Sequence, residues 1–143
     1  MILVSGCLIG NPCKYNGGHN RNKAVLTFLE GKEYLAVCPE TAGGLTAPRP
    51  PAERKGNRVI NSCGEDVTDA FYKGAELTLA QAMELKPDLI ILKANSPSCG
   101  VGTIYDGSFT KTKTDGNGVA AQMLLDAGFR VVTEKEIEQW EEN

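Results

Sequence analysis

The chain begins with the stretch Ile2-Leu3-Val4-Ser5-Gly6-Cys7, in which a short apolar run is followed closely by a cysteine. The pattern recurs in Tyr34-Leu35-Ala36-Val37-Cys38 and in Leu89-Ile90-Ile91-Leu92-Lys93, a run that leads to Cys99. Runs of this length and β-branched content indicate buried strands. In a parallel α/β sheet, ligands are held at the carboxyl ends of the strands. Three thiols that are distant in sequence can therefore converge on one site, where thiolates can bind metal.

The rest of the chain alternates strand-like and helix-like segments, which is typical of a mostly parallel sheet. We predict helices near residues 23–30, 66–86 and 119–127, and a last strand at 129–133. The capping-box pattern Thr133-Glu134-Lys135-Glu136 predicts an acidic, largely solvated helix from about residue 134. Residues 39–65 show no periodicity and are expected to form a long loop, which is either functional or mobile. The predicted fold is one α/β domain over residues 1–143, a three-layer, Rossmann-like arrangement with helices on both sides of a mostly parallel sheet.

Charge and composition argue against some kinds of binding partner, such as bulk nucleic acid and a membrane. The net charge of −3 argues against binding of bulk nucleic acid. No apolar stretch approaches the roughly 18 residues that a membrane span needs. Few residues precede Cys7 and none of them is basic, so a signal peptide is not expected and we predict a cytoplasmic protein. In that compartment, five cysteines more often bind metal or carry out chemistry than form disulfides.

Polar side chains accompany two of the strand-end cysteines. Glu40 lies two residues after Cys38 and can be an acid/base group, a partner of a metal ligand or a helix cap. Ser96 and Ser98 lie within three residues of Cys99, which favours a polar pocket over an ordinary turn.

For the other candidate site residues, an ordinary structural role is an alternative to a functional one. Arg49 lies in a proline-stiffened segment and can direct its guanidinium at a carbonyl or carboxylate, although a surface ion pair is the more common role. The pair Gly43-Gly44 indicates close approach of the backbone to another group. Cys13 is equally compatible with a ligand and with a small core residue. Cys63 has no comparable neighbours and is treated as a non-ligand, and the single histidine, His19, is expected to be exposed.

The spacing of the cysteines is compatible with two kinds of metal centre, a zinc site and an iron–sulfur cluster. Structural zinc usually has four ligands from closely spaced Cys-x-x-Cys pairs, which are absent from this sequence. An iron–sulfur cluster is held by thiolates, and three of them would leave one iron of a cubane free to act as a Lewis acid. The spacing favours the cluster only slightly.

Several long motifs resemble those of the YbbK-like family of bacterial proteins, catalogued as a domain of unknown function. They occur in the same order as in that family, and the similarity extends to about Glu134. The motifs are Ser5-Gly6-Cys7-Leu8-Ile9-Gly10, Cys38-Pro39-Glu40 with Gly43-Gly44-Leu45 and Pro48-Arg49, Asp66-Val67-Thr68, and Ser96-Pro97-Ser98-Cys99-Gly100 with Ile104-Tyr105-Asp106-Gly107.

That family includes the thiouracil desulfurases, and the resemblance implies their chemistry. A [4Fe-4S] cluster held by three cysteines binds the sulfur of a thiolated base at its fourth iron, and the C–S bond is broken hydrolytically without net electron transfer. The resemblance implies that Cys7, Cys38 and Cys99 are the ligands and that Glu40 is the acid/base group. It implies a catalytic role for Ser96, and we assign substrate binding to Ser98 and Arg49.

The main hypothesis is therefore a cluster-dependent, non-redox desulfurase that releases sulfide from a small thiolated heterocycle such as 2-thiouracil. The alternative from another class is a non-catalytic metal-binding or sensor module that holds zinc or a cluster. The sequence leaves the oligomeric state open.

Overall fold

A computed structural model describes the backbone of residues 1–142 and the side chains of residues 1–140. The strands and helices alternate for most of the chain, as the sequence predicts. The elements are β1 (Ile2–Ser5), α1 (Lys23–Leu29), β2 (Tyr34–Val37), α2 (Pro39–Ala42), β3 (Ala52–Lys55), β4 (Arg58–Asn61), α3 (Thr68–Leu85), β5 (Leu89–Leu92), β6 (Thr103–Tyr105), β7 (Lys113–Asp115), α4 (Val119–Asp126), β8 (Val131–Thr133) and α5 (Glu134–Glu142), with a short 3-10 turn at Gly6–Ile9.

The main sheet has four strands in the order β2-β1-β5-β8, and all of its pairings are parallel. The chain moves from β1 to β2 on one side and later returns to place β5 on the other side of β1. A reversal of this kind opens a crevice at the carboxyl ends of the central strands, where α/β proteins bind ligands. Cys7, Cys38 and the segment 93–99 all follow strands that end at this edge.

Alternate residues of the strands face two helical layers, as the two-residue period of a strand requires. One face packs Ile2, Val4 and Ile91 together with residues of α1 and α5. The opposite face packs Leu3, Ile90 and Leu92 together with residues of α3 and α4. The central strands are therefore buried on both sides, which explains why they are continuous apolar runs. The predicted three-layer α/β fold is confirmed.

The region 39–65, expected to be a long loop, contains regular structure. It forms the one-turn helix α2 and an antiparallel hairpin of β3 and β4. The hairpin was missed because Glu53, Arg54 and Lys55 of β3 have no apolar alternation. Val59 of β4 is fully buried and packs with Phe71 of α3, so tertiary packing fixes the hairpin.

The C-terminal helix α5 begins with the predicted capping box. Both the backbone N–H and the hydroxyl of Thr133 donate to Glu136 Oε2, at 2.7 and 2.6 Å. The helix is solvated on one side and packed on the other, where Ile137 is fully buried in the core and Glu134 is 4% exposed. Among the described residues, no helix is both long and apolar enough to cross a membrane.

Candidate active site

A cavity of about 490 Å³ lies at the carboxyl edge of the main sheet. Four thiols line it: Cys7, Cys13, Cys38 and Cys99. All four are free cysteines, and they come from the segments that follow β1, β2 and β5. The structure thus brings the three strand-end cysteines together and adds Cys13, for which the sequence left two roles open.

Cys13 lies between two of the other thiols. Hydrogen bonding to the neighbouring thiols of Cys38 and Cys7 raises the pKa of Cys13. The same contacts lower the pKa of Cys7 against the opposing effect of burial. Cys38 has a pKa lowered to about 6, because Cys13 and the Thr41 hydroxyl both hydrogen-bond to its sulfur. The arrangement therefore favours the thiolate form, which binds metal, at Cys7 and Cys38.

Cys99 lies in a more buried part of the site. It is 5% exposed, and burial raises its pKa to about 12. The Ser5 hydroxyl donates a hydrogen bond to its sulfur at 3.7 Å, and the Ser98 oxygen, whose proton goes to Glu40 Oε2, lies 3.4 Å from it. The Ser5 donor is suited to stabilising a thiolate once a positively charged partner is bound, because hydrogen bonds to ligand sulfurs tune metal centres.

The donor set fits an iron–sulfur cluster. Among the described residues, no group of three or more Cys, His, Asp or Glu side chains is arranged to hold one metal ion. The ligands of a cluster bind different irons and so need not meet at one point. Three thiols on separate strand ends around a cavity satisfy that requirement, and the fit rests on cysteine sulfurs, the usual ligands of such clusters.

Glu40 lies in the wall of the same cavity, in the first turn of α2. Helix α2 begins directly after Cys38, so one short element positions both a thiol and a carboxylate. Glu40 Oε1 accepts from Nε of Arg49 at 3.3 Å and from its Nη2 at 3.2 Å. Glu40 Oε2 accepts from the Ser98 hydroxyl at 2.9 Å. The carboxylate is thus fixed from two sides.

Arg49 is one of the least exposed charged residues of the site, with 8% of its side chain accessible. Besides Glu40, its guanidinium donates to the carbonyl of Thr46 at 2.9 Å and to that of Cys13 at 3.0 Å. Most of its donors are therefore occupied by the protein. This arginine joins the Cys13 loop to the segment after α2 and presents Glu40 to the cavity.

The two serines of the Ser96-Pro97-Ser98 segment are linked to Glu40. Ser96 Oγ accepts from the backbone N–H groups of Ser98 and Cys99, both at 3.1 Å. Its own proton can then go to Ser98 Oγ, which lies 3.0 Å away and itself donates to Glu40. Ser96 lines the cavity, whereas Ser98 is 1% exposed and lies behind it.

Lys93 is a site residue to which the sequence assigned no role. It lines the cavity, and its Nζ lies 3.0 Å from Glu134 Oε2. Glu134 also accepts from the backbone N–H of Ala94 at 2.7 Å, which explains why a glutamate at the end of β8 is buried. Lys93 and Glu134 are far apart in the sequence, so no local pattern could have indicated their contact.

Two further residues lie outside the cavity lining. Cys63 is exposed in the turn after β4, and His19 is exposed in the loop before α1. His19 accepts a hydrogen bond from the backbone N–H of Arg21 at 3.1 Å.

Fold and site together define an α/β protein with a cysteine-rich ligand site at the carboxyl edge of a parallel sheet. The profile of the 2-thiouracil desulfurase family matches residues 2–136, and the chain belongs to that family. The resemblance drawn from the sequence motifs is thereby confirmed.

Two relatives agree with this assignment. The "Uncharacterized protein YbbK" of Bacillus subtilis (strain 168) is 43% identical, in an alignment that covers 96% of this chain and 97% of the relative. The solved structure of a "[4Fe-4S]-dependent thiouracil desulfidase TudS" is 42% identical in sequence and superposes with a TM-score of 0.89. That match covers 96% of this chain and 93% of the solved chain.

Proposed function

We propose that this protein is a [4Fe-4S]-dependent desulfidase that hydrolyses the C–S bond of a small thiolated heterocycle such as 2-thiouracil. The observation that carries the proposal is the meeting of Cys7, Cys38 and Cys99 in one cavity with Glu40 in its wall. Membership of the 2-thiouracil desulfurase family supports it, and so does the similarity to a solved [4Fe-4S]-dependent thiouracil desulfidase.

In this proposal Cys7, Cys38 and Cys99 hold the cluster, and Cys13 is not a ligand. A cluster bound there would supply a soft Lewis acid, which suits a thiocarbonyl sulfur. Cys13 instead donates its S–H group to a ligand sulfur, a role that fits its position between Cys7 and Cys38.

Glu40 is the proposed general base. Its carboxylate takes a proton from the water that attacks the carbon bonded to sulfur, and later returns a proton to the product. Ser96 lines the cavity and is placed to hydrogen-bond the substrate or to pass a proton through Ser98 to Glu40 Oε2. The hydroxyl pair therefore offers a short proton path between the substrate and the carboxylate.

Arg49 and Ser98 are proposed to act on the substrate through Glu40. Direct contact with substrate was expected from the sequence, but the burial of both side chains and their hydrogen bonds to Glu40 favour a positioning role. A base held within hydrogen-bond reach of the attacking water keeps a productive geometry, which accounts for a large part of enzymatic rate enhancement.

The test is sulfide release from 2-thiouracil by anaerobically reconstituted protein, with uracil measured as the second product. Glu40→Gln is expected to keep its iron and lose about 10²- to 10⁴-fold in kcat, the range for removal of a general base. Glu76→Gln, an exposed substitution on α3, is the matched control and should stay at the wild-type rate. A fully active Glu40→Gln enzyme would show that Glu40 is not the general base.

A further inference from the structure

The loop between β6 and β7 carries an unusual backbone. Phe109 and Lys111 adopt φ values of +58° and +61°, and both residues line the active-site cavity. Left-handed φ values are uncommon outside glycine, and they are outliers for bulky residues such as phenylalanine. Strained conformations of this kind persist where the surroundings enforce them, and they cluster at ligand sites.

Glu53 of β3 enforces the conformation. Its Oε1 accepts from the backbone N–H of Gly107 at 3.0 Å and from that of Phe109 at 3.2 Å. At the start of the loop, Asp106 Oδ1 accepts from the N–H and the hydroxyl of Ser108, at 2.9 and 2.5 Å. The backbone of Phe109 is thus tied to the hairpin that forms one side of the cavity.

The result is an aromatic ring at the rim of the thiol-lined cavity. Phe109 is 40% exposed, whereas Cys7 and Cys99 deeper in the cavity are 9% and 5% exposed. An apolar ring of this size is held partly in solvent by a carboxylate and a strained backbone. A planar ligand in this cavity has the ring in its wall, and flat heterocycles stack on aromatic side chains.

We infer that Phe109 is a specificity-determining residue, which stacks on the ring of the substrate and selects planar heterocyclic thiones over acyclic thiocarbonyl compounds. The inference rests on the proposed function and extends it to the choice of substrate. Glu53 acts as a positioning residue, because it touches the Phe109 backbone and holds the ring in place.

The test compares Phe109→Leu with Phe109→Tyr in cluster-loaded protein. Both side chains must adopt the same strained backbone, but only tyrosine can stack. Binding of 2-thiouracil and of thiourea is measured by equilibrium dialysis in the Glu40→Gln background, which is expected to keep the iron and to turn the ligand over too slowly to consume it. We expect Phe109→Leu to weaken binding of 2-thiouracil about fivefold or more, the scale of a lost base–aromatic stack, and Phe109→Tyr to stay near wild type. Thiourea, which has the same N–C(=S)–N group without a ring, should bind weakly and equally to all three proteins.

Equal 2-thiouracil affinity in the leucine and tyrosine variants would overturn the inference, and so would an equal loss of thiourea binding in the leucine variant. Tyr34→Leu, an exposed aromatic substitution on β2 outside the cavity, is the control. Wild-type protein that binds 2-thiouracil but releases no sulfide would contradict the proposed function. The stacking inference would still be tested, because the affinities of the Phe109 variants for 2-thiouracil can be compared without turnover.

Discussion

At the scale of single residues, the site depends on how Glu40 is held. Arg49 offers a planar fork to Glu40 Oε1, and Ser98 binds Oε2 from the other side. Both partners are largely buried, so the geometry is protected from competition by water. The carboxylate is therefore pre-organised before any substrate enters.

Replacing Arg49 by lysine tests this pre-organisation. An ammonium group keeps the charge but cannot reproduce the two-nitrogen contact with Glu40. We expect kcat for 2-thiouracil to fall about 10²-fold, the scale that a small misplacement of a reacting group costs, with KM and iron content unchanged. Arg21→Lys, at an exposed position outside the cavity lining, is the matched control. If KM rose and kcat held, Arg49 would be a substrate-binding residue after all.

The sequence indicated Cys7, Cys38, Cys99 and Glu40 because each lies beside a recognisable apolar strand. It could not place Arg49 against Glu40, since the residues between them form an irregular, proline-containing path. The role of Cys13 was undecided because its surroundings depend on the position of Cys38, which comes from another strand.

At the scale of elements, the close packing of α2 against α3 sets the position of both Cys38 and Glu40. A Cβ atom at Gly74 of α3 would overlap the carbonyl oxygen of Pro39, and one at Gly43 would overlap that of Ala70. Two glycines therefore let the short helix α2 lie directly on the backbone of α3. The close approach expected from the pair Gly43-Gly44 occurs at Gly43.

Gly74→Ala is expected to push α2 away from α3. The new methyl group has no space, because the atom it meets belongs to backbone rather than to a flexible side chain. We expect a loss of about 1–3 kcal/mol of unfolding free energy in urea, with a lower iron content per chain, since Cys38 moves with α2. Leu77→Ala, at an exposed position of α3, should leave the iron content unchanged. Wild-type stability together with wild-type iron content in Gly74→Ala would show that the contact is dispensable.

The start of α3 gives a pH-dependent prediction. Hydrogen bonds from Thr68 and from Arg58 lower the pKa of Asp66 from 3.8 to about 2. A carboxyl with a lowered folded-state pKa stabilises the protein above its unfolded pKa and loses that effect as the pH falls through the folded value. The stability difference between wild type and Asp66→Asn should be full above about pH 4 and should shrink toward pH 2.

Thermal unfolding across this pH range measures the difference. Asp69→Asn, an exposed acid in the same turn, serves as the control. A difference between wild type and Asp66→Asn that is independent of pH would contradict the assignment of the shift to the Asp66 carboxylate.

At the scale of the whole molecule, the alternation of apolar strand-like runs with helix-like segments was sufficient to predict the layered fold. Each central strand is an uninterrupted apolar run, because it is covered on both faces. Regions stabilised by distant contacts were less predictable. The charged strand β3 is held as a strand by its pairing with β4, and Arg54 of β3 donates to the carbonyl of Asn117 at 2.6 Å. The buried Glu134 likewise depends on Lys93, which follows another strand.

The central claim is that Cys7, Cys38 and Cys99 hold a cubane cluster, and the most direct measurement is iron and acid-labile sulfide per chain in anaerobically prepared protein. The account predicts about four of each for the wild type and for Cys63→Ala, and a large loss of both in Cys38→Ala. Stoichiometric zinc without labile sulfide, or an unchanged iron and sulfide content in Cys38→Ala, would contradict it.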